Sequence, residues 1–239
     1  MSDRIKLPEA HEVHVWQADL QTLQPYHERM SRLLSGDERA RAERFCFDDD
    51  RRRYVVARGA LRILLGQYLE IEPASVELVP ADNGKPRVLH GSNFTFNLSH
   101  AGDALLIATA CGFEVGIDVE RLDRTLDIER LMVSVLHPNE LSRLLHREAA
   151  EMTRMFFRYW TCKEAYLKAL GVGLAGDMSS VELVFSSDGS SVRLVDHDTA
   201  RSSSGWCVCE WEYSPDCMAA VAAGHAGATF KRYRIRELV

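Results

Sequence analysis

Two stretches of the chain follow one pattern, and a duplicated pattern narrows the folds open to it. Residues 57–66 (ARGALRILLG) resemble residues 162–171 (CKEAYLKALG), and residues 103–110 resemble residues 216–223. Each copy reads as a long helix followed by strands. Two similar halves would enclose a cleft between them, the kind of place where ligands bind.

The 239 residues suffice for one large domain or two modest ones. A formal net charge of -6 gives no electrostatic footprint for nucleic acid. The opening MSDRIKLPEAHEV is polar and lacks a signal-peptide core, and the longest apolar run, residues 104–111, is far too short to cross a bilayer. The six cysteines form no CxxC pair, which points to a reducing, cytoplasmic setting. Strands are expected over HEVHVWQADL, residues 76–79, 94–98, 104–110 and 114–120, and along much of 181–223. Helices are expected from Ser35, over 51–69 and over 153–170, the last ended by Gly171. The tail 231–239 is charged and reads as exposed.

Four segments carry chemistry. On a strand, Gly116, Asp118 and Glu120 share one face while Val115, Ile117 and Val119 take the other. Two carboxylates beside a glycine that opens space suit a hard divalent cation, and the same pattern also describes an acidic outer strand face. On the helix over 153–170, Glu164 and Lys168 lie one turn apart and share a face with Trp160. They are either a surface ion pair or a third carboxylate with a lysine for phosphate. Asn97-Leu98-Ser99-His100 closes an apolar strand and offers donors where the chain turns, and the histidine there is either structural or ligand-binding. Asn83-Gly84-Lys85-Pro86-Arg87 is a turn bearing two cations.

Taken in order, NGKPRV, FNLSHAGD, VGIDVE and WTCKEAYLK resemble the surfactin-synthetase-type 4'-phosphopantetheinyl transferases over about residues 35–183. VGIDVE followed about forty residues later by W-x-x-K-E-A-x-x-K is the diagnostic pair. The resemblance implies an α+β fold of two similar halves, residues 1–113 and 114–239, related by a pseudo-twofold axis with the active site in the cleft between them. It implies transfer of the phosphopantetheine arm of coenzyme A to a serine of an acyl or peptidyl carrier protein, with 3',5'-ADP released. Asp118, Glu120 and Glu164 would hold Mg2+, Lys168 would stabilise charge on the pyrophosphate, and Glu164 would take the serine proton, directly or through water. Ser99 and His100 would bind coenzyme A phosphates, Lys85 and Pro86 would line the adenine side, and Lys163 would add positive charge near the nucleotide. Arg41 would meet the 3'-phosphate and Arg58 would face the cleft. Glu38 stands where some relatives carry a basic residue, and its charge would weaken the phosphate pocket unless an arginine such as Arg53 compensates. Two other readings stand beside this one: a coenzyme A-binding or carrier-docking protein without catalysis, and a Mg2+-dependent nucleotide phosphohydrolase. Neither accounts for all four segments. A chain that supplies its own cleft is expected to be a monomer.

Overall fold

The computed structural model describes residues 5–89, 93–123, 125–173, 176–188, 191–198, 201 and 204–235. The chain opens with strand β1 (Glu12–Asp19) and passes through the short helices α1 (Leu20–Leu23), α2 (His27–Leu33) and α3 (Gly36–Glu43) to the 22-residue helix α4 (Asp48–Leu69). Strands β2 (Leu78–Pro80) and β3 (Pro86–Val88) precede the hairpin β4 (Phe94–Ala101) and β5 (Ala104–Cys111). Then the plan recurs. Strand β6 (Val115–Arg121) leads through α5 (Ile128–Val135) and α6 (Pro138–Leu144) to another 22-residue helix, α7 (Ala149–Leu170). Strands β7 (Val181–Phe185) and β8 (Val192–Asp196) precede the hairpin β9 (Cys207–Ser214) and β10 (Cys217–Ala223), and β11 (Thr229–Arg234) follows.

Local chemistry sets these bounds. Ser35 opens α3 with a capping box: its hydroxyl accepts the Glu38 N–H, and the Glu38 carboxylate accepts the Ser35 N–H at 2.9 Å. Asp48, Asp49 and Asp50 put negative charge at the positive end of α4. Gly171 ends α7 at φ 76°, a left-handed conformation that favours glycine, and a Cβ there would also strike the Asn83 side chain.

The sheets run β11-β1-β5-β4 and β6-β10-β9-β8-β7, with β2 and β3 paired apart. The segments β1-β5-β4 and β6-β10-β9 share one antiparallel order, and each is covered by its long helix. One face of the first sheet packs Leu105 and Ile107 under Leu61 and Leu64 of α4. The opposite face sends Val13, Val15, Leu106 and Ala108 against Val115, Ile117, Val119 and Val221 of the second sheet. The result is an α+β fold in helix, sheet, sheet, helix layers.

Two expectations change. Ser99 and His100 lie on β4 rather than in the turn, because pairing with β5 continues to Ala101 opposite Ala104 and leaves Gly102-Asp103 to reverse the chain, with φ 56° at Gly102. The charged tail keeps Lys231, Arg232 and Arg234 exposed as expected, but its backbone joins the first sheet: β11 pairs in parallel with β1, and Ile235 behind it is fully buried. Its residues 236–239 lie outside the described residues. Among the described residues no helix is long and apolar enough to cross a membrane.

Candidate active site

The site forms where β4, β6 and α7 meet. Gly116 makes the meeting possible. A Cβ at this position would collide with the Ala165 carbonyl and the Ala169 backbone, so the glycine lets α7 lie directly on β6. The space opened by Gly116 therefore belongs to the helix and not to an ion. Close packing brings Glu164 and Lys168 over Asp118, two residues further along the strand. The turn before β3 fixes the other end of α7. Asn83 donates to the Leu170 carbonyl at 3.0 Å, and Lys85 Nζ donates to the carbonyls of Ala169 at 3.0 Å and Val115 at 2.7 Å and to Glu114 at 2.8 Å. A cation at a helix C-terminus is electrostatically favoured there. On the first sheet's edge, the Asn97 side chain accepts the Ile117 N–H at 2.9 Å and ties β4 to β6.

Within this frame Asp118 is 1% exposed and Glu164 4% exposed. Asp118 Oδ1 accepts from Ser99 Oγ at 2.9 Å and from Lys168 Nζ at 2.5 Å, and Lys168 also reaches Ser99 Oγ at 3.1 Å. Asp118 Oδ2 and Glu164 Oε1 are shielded from solvent and have no hydrogen-bond partner among the described residues. Glu120, half-buried on the same strand face, has its pKa pushed up to about 7 by burial, with the charges of Asp118 and Glu164 adding to the effect and Lys168 opposing it. Burial and then Asp118 also raise Glu164. Orphaned oxygens and mutually repelling carboxylates are what an all-oxygen site for a hard cation produces, so these residues fit Mg2+ by donor chemistry. The three do not yet offer one oxygen each within 4.8 Å of one another. Lys168 instead neutralises one of them.

Beside this group opens a cavity of about 860 Å³, lined in part by Glu38, Arg41, Arg58, Arg62, Pro86 and His100. His100 stands at its exposed rim, where partial desolvation and the charges of Lys168 and Arg53 lower its pKa. Arg41 lies over the Tyr54 ring, 5.7 Å from its centroid. Glu38 is held by Arg58 Nε at 2.8 Å and Arg62 Nε at 2.6 Å. Burial would raise its pKa, but Arg58, the Ser35 N–H and Arg62 outweigh burial and lower it. Its charge is thus matched from within the cavity. Arg53, by contrast, is tied to Asp103 at 3.0 Å and is not part of the lining.

Asp118, Glu120, Glu164, Lys168 and Ser99 come together, and His100, Arg41, Arg58 and Pro86 adjoin them on the cavity wall. Lys85 and Lys163 do not join the group. Lys163 is fully buried on another side of α7, donating to Glu140 at 2.5 Å and to the carbonyls of Val135 at 2.8 Å and Met178 at 3.1 Å. Arg62 escaped the sequence reading. Its i,i+4 spacing from Arg58 on one helix was the available signal, because it sets both guanidinium groups toward one carboxylate.

Two family models match the chain: the 4'-phosphopantetheinyl transferase superfamily over residues 114–222, and the N-terminal part of a 4'-phosphopantetheinyl transferase over residues 16–112. The 4'-phosphopantetheinyl transferase HetI of Nostoc sp. is 36% identical over 90% of this chain and 89% of its own length. The 4'-phosphopantetheinyl transferase psf-1 of Bacillus pumilus is 31% identical over 72% of each chain, and the transferase Sfp of Bacillus subtilis is 27% identical over 84% of this chain and 87% of its own. The chain belongs to the 4'-phosphopantetheinyl transferase superfamily, in its surfactin-synthetase type.

Proposed function

We propose that this protein transfers the phosphopantetheine arm of coenzyme A to a serine of an acyl or peptidyl carrier protein. The observation that carries the reading is the convergence of three carboxylates with Lys168 and Ser99 at the edge of an arginine-lined cavity large enough for a nucleotide. The 3'-phosphoadenosine end of coenzyme A occupies that cavity, with Arg41 and His100 toward its phosphates, Arg58 held in place by Glu38, and Pro86 on the wall. Asp118, Glu120 and Glu164 hold Mg2+, which when bound neutralises pyrophosphate charge. Lys168 leaves Asp118 for the pyrophosphate and stabilises charge that grows on the leaving 3',5'-ADP. Ser99 holds Asp118 in the free protein and turns its single hydroxyl proton to the same phosphates when they bind. Glu164 accepts the proton of the attacking serine hydroxyl, directly or through water. Lys85 and Lys163 act on α7 and leave the nucleotide to the arginines.

The two halves, residues 1–113 and 114–239, work as one monomer in a reducing cytoplasm, a reading supported by six free cysteines. Incubation with coenzyme A, Mg2+ and a panel of carrier proteins, followed by intact mass, tests the activity. Carriers that gain one phosphopantetheinyl group support it. Free phosphopantetheine without carrier modification would replace it with the hydrolase reading, and binding without turnover with the docking one.

A further inference from the structure

Glu38 stands in the cavity wall, yet its carboxylate is closed to a ligand. Its Oε2 accepts the Ser35 N–H at 2.9 Å and Arg62 Nε at 2.6 Å. Its Oε1 accepts Arg58 Nε at 2.8 Å and lies 2.6 Å from Arg58 Nη2. A carboxylate has about four lone-pair sites, so these donors fill them and leave none for a sugar hydroxyl. Whatever Glu38 does for binding, it does through its partners.

The two arginines are held differently. Arg62 is 2% exposed, and its Nη1 donates to the carbonyls of Val76 at 2.9 Å and Pro73 at 3.3 Å. It is the buried countercharge of Glu38, and it ties α3 to α4 and to the chain that leads into β2. Arg58 is less enclosed and spends one edge of its guanidinium, Nε and Nη2, on Glu38. The group is planar and rigid, so its Nη1 end is turned away from Glu38, on a side chain that lines the cavity. Arg58 lies one turn beyond Tyr54 on α4, and Arg41 reaches the same ring from α3, 5.7 Å from its centroid. Two guanidinium groups from two helices therefore share one corner. Glu38 fixes both, Arg58 by direct contact and Arg41 through α3, on which it lies three residues further along.

We propose that Glu38 is a positioning residue that aims Arg58, beside Arg41, at a phosphate monoester. The inference rests on the proposed function, which puts the 3'-phosphoadenosine end of coenzyme A in this cavity. Its sign is opposite to that of simple repulsion. A carboxylate acting by charge alone weakens the binding of an anion, so neutralising it would tighten binding. A carboxylate acting by aim keeps Arg58 preorganised, so neutralising it frees the side chain and weakens binding. Glu38→Gln also turns one acceptor into an NH2 group that faces an arginine donor.

Calorimetry with 3',5'-ADP and 5'-AMP in the presence of chelator reads the monoester contact without metal or carrier protein. The wild type is expected to bind 3',5'-ADP more tightly than 5'-AMP. Folded Glu38→Gln is expected to bind 3',5'-ADP at least about tenfold more weakly, although the cavity has gained positive charge. Its affinity for 5'-AMP should change little, so that most of the preference is lost, which a general loosening of the fold would not produce. Arg58→Lys keeps the charge but not the planar fork, and the same selective loss is expected. Adding Glu38→Gln to Arg58→Lys should then weaken binding little further. Arg58→Lys leaves the buried Glu38–Arg62 pair whole, and it decides the matter should Glu38→Gln fail to fold. Unchanged or tighter 3',5'-ADP binding in folded Glu38→Gln, or wild-type affinity in Arg58→Lys, would overturn the inference and leave the proposed function standing. A wild type that binds neither nucleotide would overturn both.

Discussion

Charge does not balance among the residues of the cleft: three carboxylates face one ammonium, and Lys168 is closest to Asp118. Glu120 bears the consequence, with a pKa near 7 against an ordinary 4.5. In metal-free protein between about pH 4.5 and 7, the folded chain keeps a proton that the unfolded chain has released. Stability from Glu120 is therefore present on the acid side and lost as pH rises through that window. Denaturant titrations in chelator should show Glu120→Gln more stable than wild type at pH 8 by on the order of 1–2 kcal/mol, a figure discounted for partial exposure, with the two converging near pH 4.5. Added Mg2+ should stabilise the wild type at pH 8 more than the variant. Parallel pH curves would show that Glu120 does not share the repulsion. Lysines at this scale divide by partner: Lys168 reaches the cleft, whereas Lys85 is consumed by backbone carbonyls and half-buried Glu114, and Lys163 by backbone carbonyls and buried Glu140.

The helix–strand contact of α7 on β6 converts sequence spacing into the proposed active site, and Gly116 is its narrowest point. Gly116→Val should push α7 outward, cost about 1–3 kcal/mol of stability by overpacking, and lower transfer out of proportion to that loss. Gly84→Ala provides a comparison, since a Cβ there meets nothing within 4 Å and its strain is confined to the turn. Equal activity in the folded Gly116→Val protein would mean that Glu164 does not depend on close packing. Much of this element level was legible in the sequence. Period-two alternation in VGIDVE gave the shared face of Asp118 and Glu120, and a one-turn spacing gave Glu164 and Lys168, because both follow from local geometry. What could not be read was tertiary. Whether Lys85 points at a nucleotide or at the end of α7 depends on where a distant helix stops. Whether Glu38 repels phosphate depends on Arg62, 24 positions away and 2% exposed. The path of β11 beside β1 had no local signal either, since its burial alternates weakly.

Over the whole molecule the two halves repeat one topology but not one chemistry. Strand register sets Trp16 and Ala18 of β1 where β6 has Asp118 and Glu120, and the matched helices set Gly59 and Ile63 of α4 against Glu164 and Lys168. The carboxylates and Lys168 are therefore placed once, in the second half, while the first half contributes Ser99 and the cavity with Arg41, Arg58 and His100. This division predicts separable losses. Arg41→Ala should erase most of the preference for coenzyme A over dephospho-coenzyme A in calorimetry, a contact worth about 1.5–3 kcal/mol, and leave Mg2+ dependence intact. An unchanged preference would move the 3'-phosphate away from Arg41. The central claim is that the second-half cluster performs the transfer, and the intact mass of a carrier protein after timed incubation with coenzyme A and Mg2+ tests it most directly. Wild type should convert the carrier to its phosphopantetheinylated form, while folded Asp118→Ala, Glu164→Gln and Lys168→Ala each slow conversion about a hundredfold or more. Conversion by all three variants within a few-fold of wild type would contradict the account.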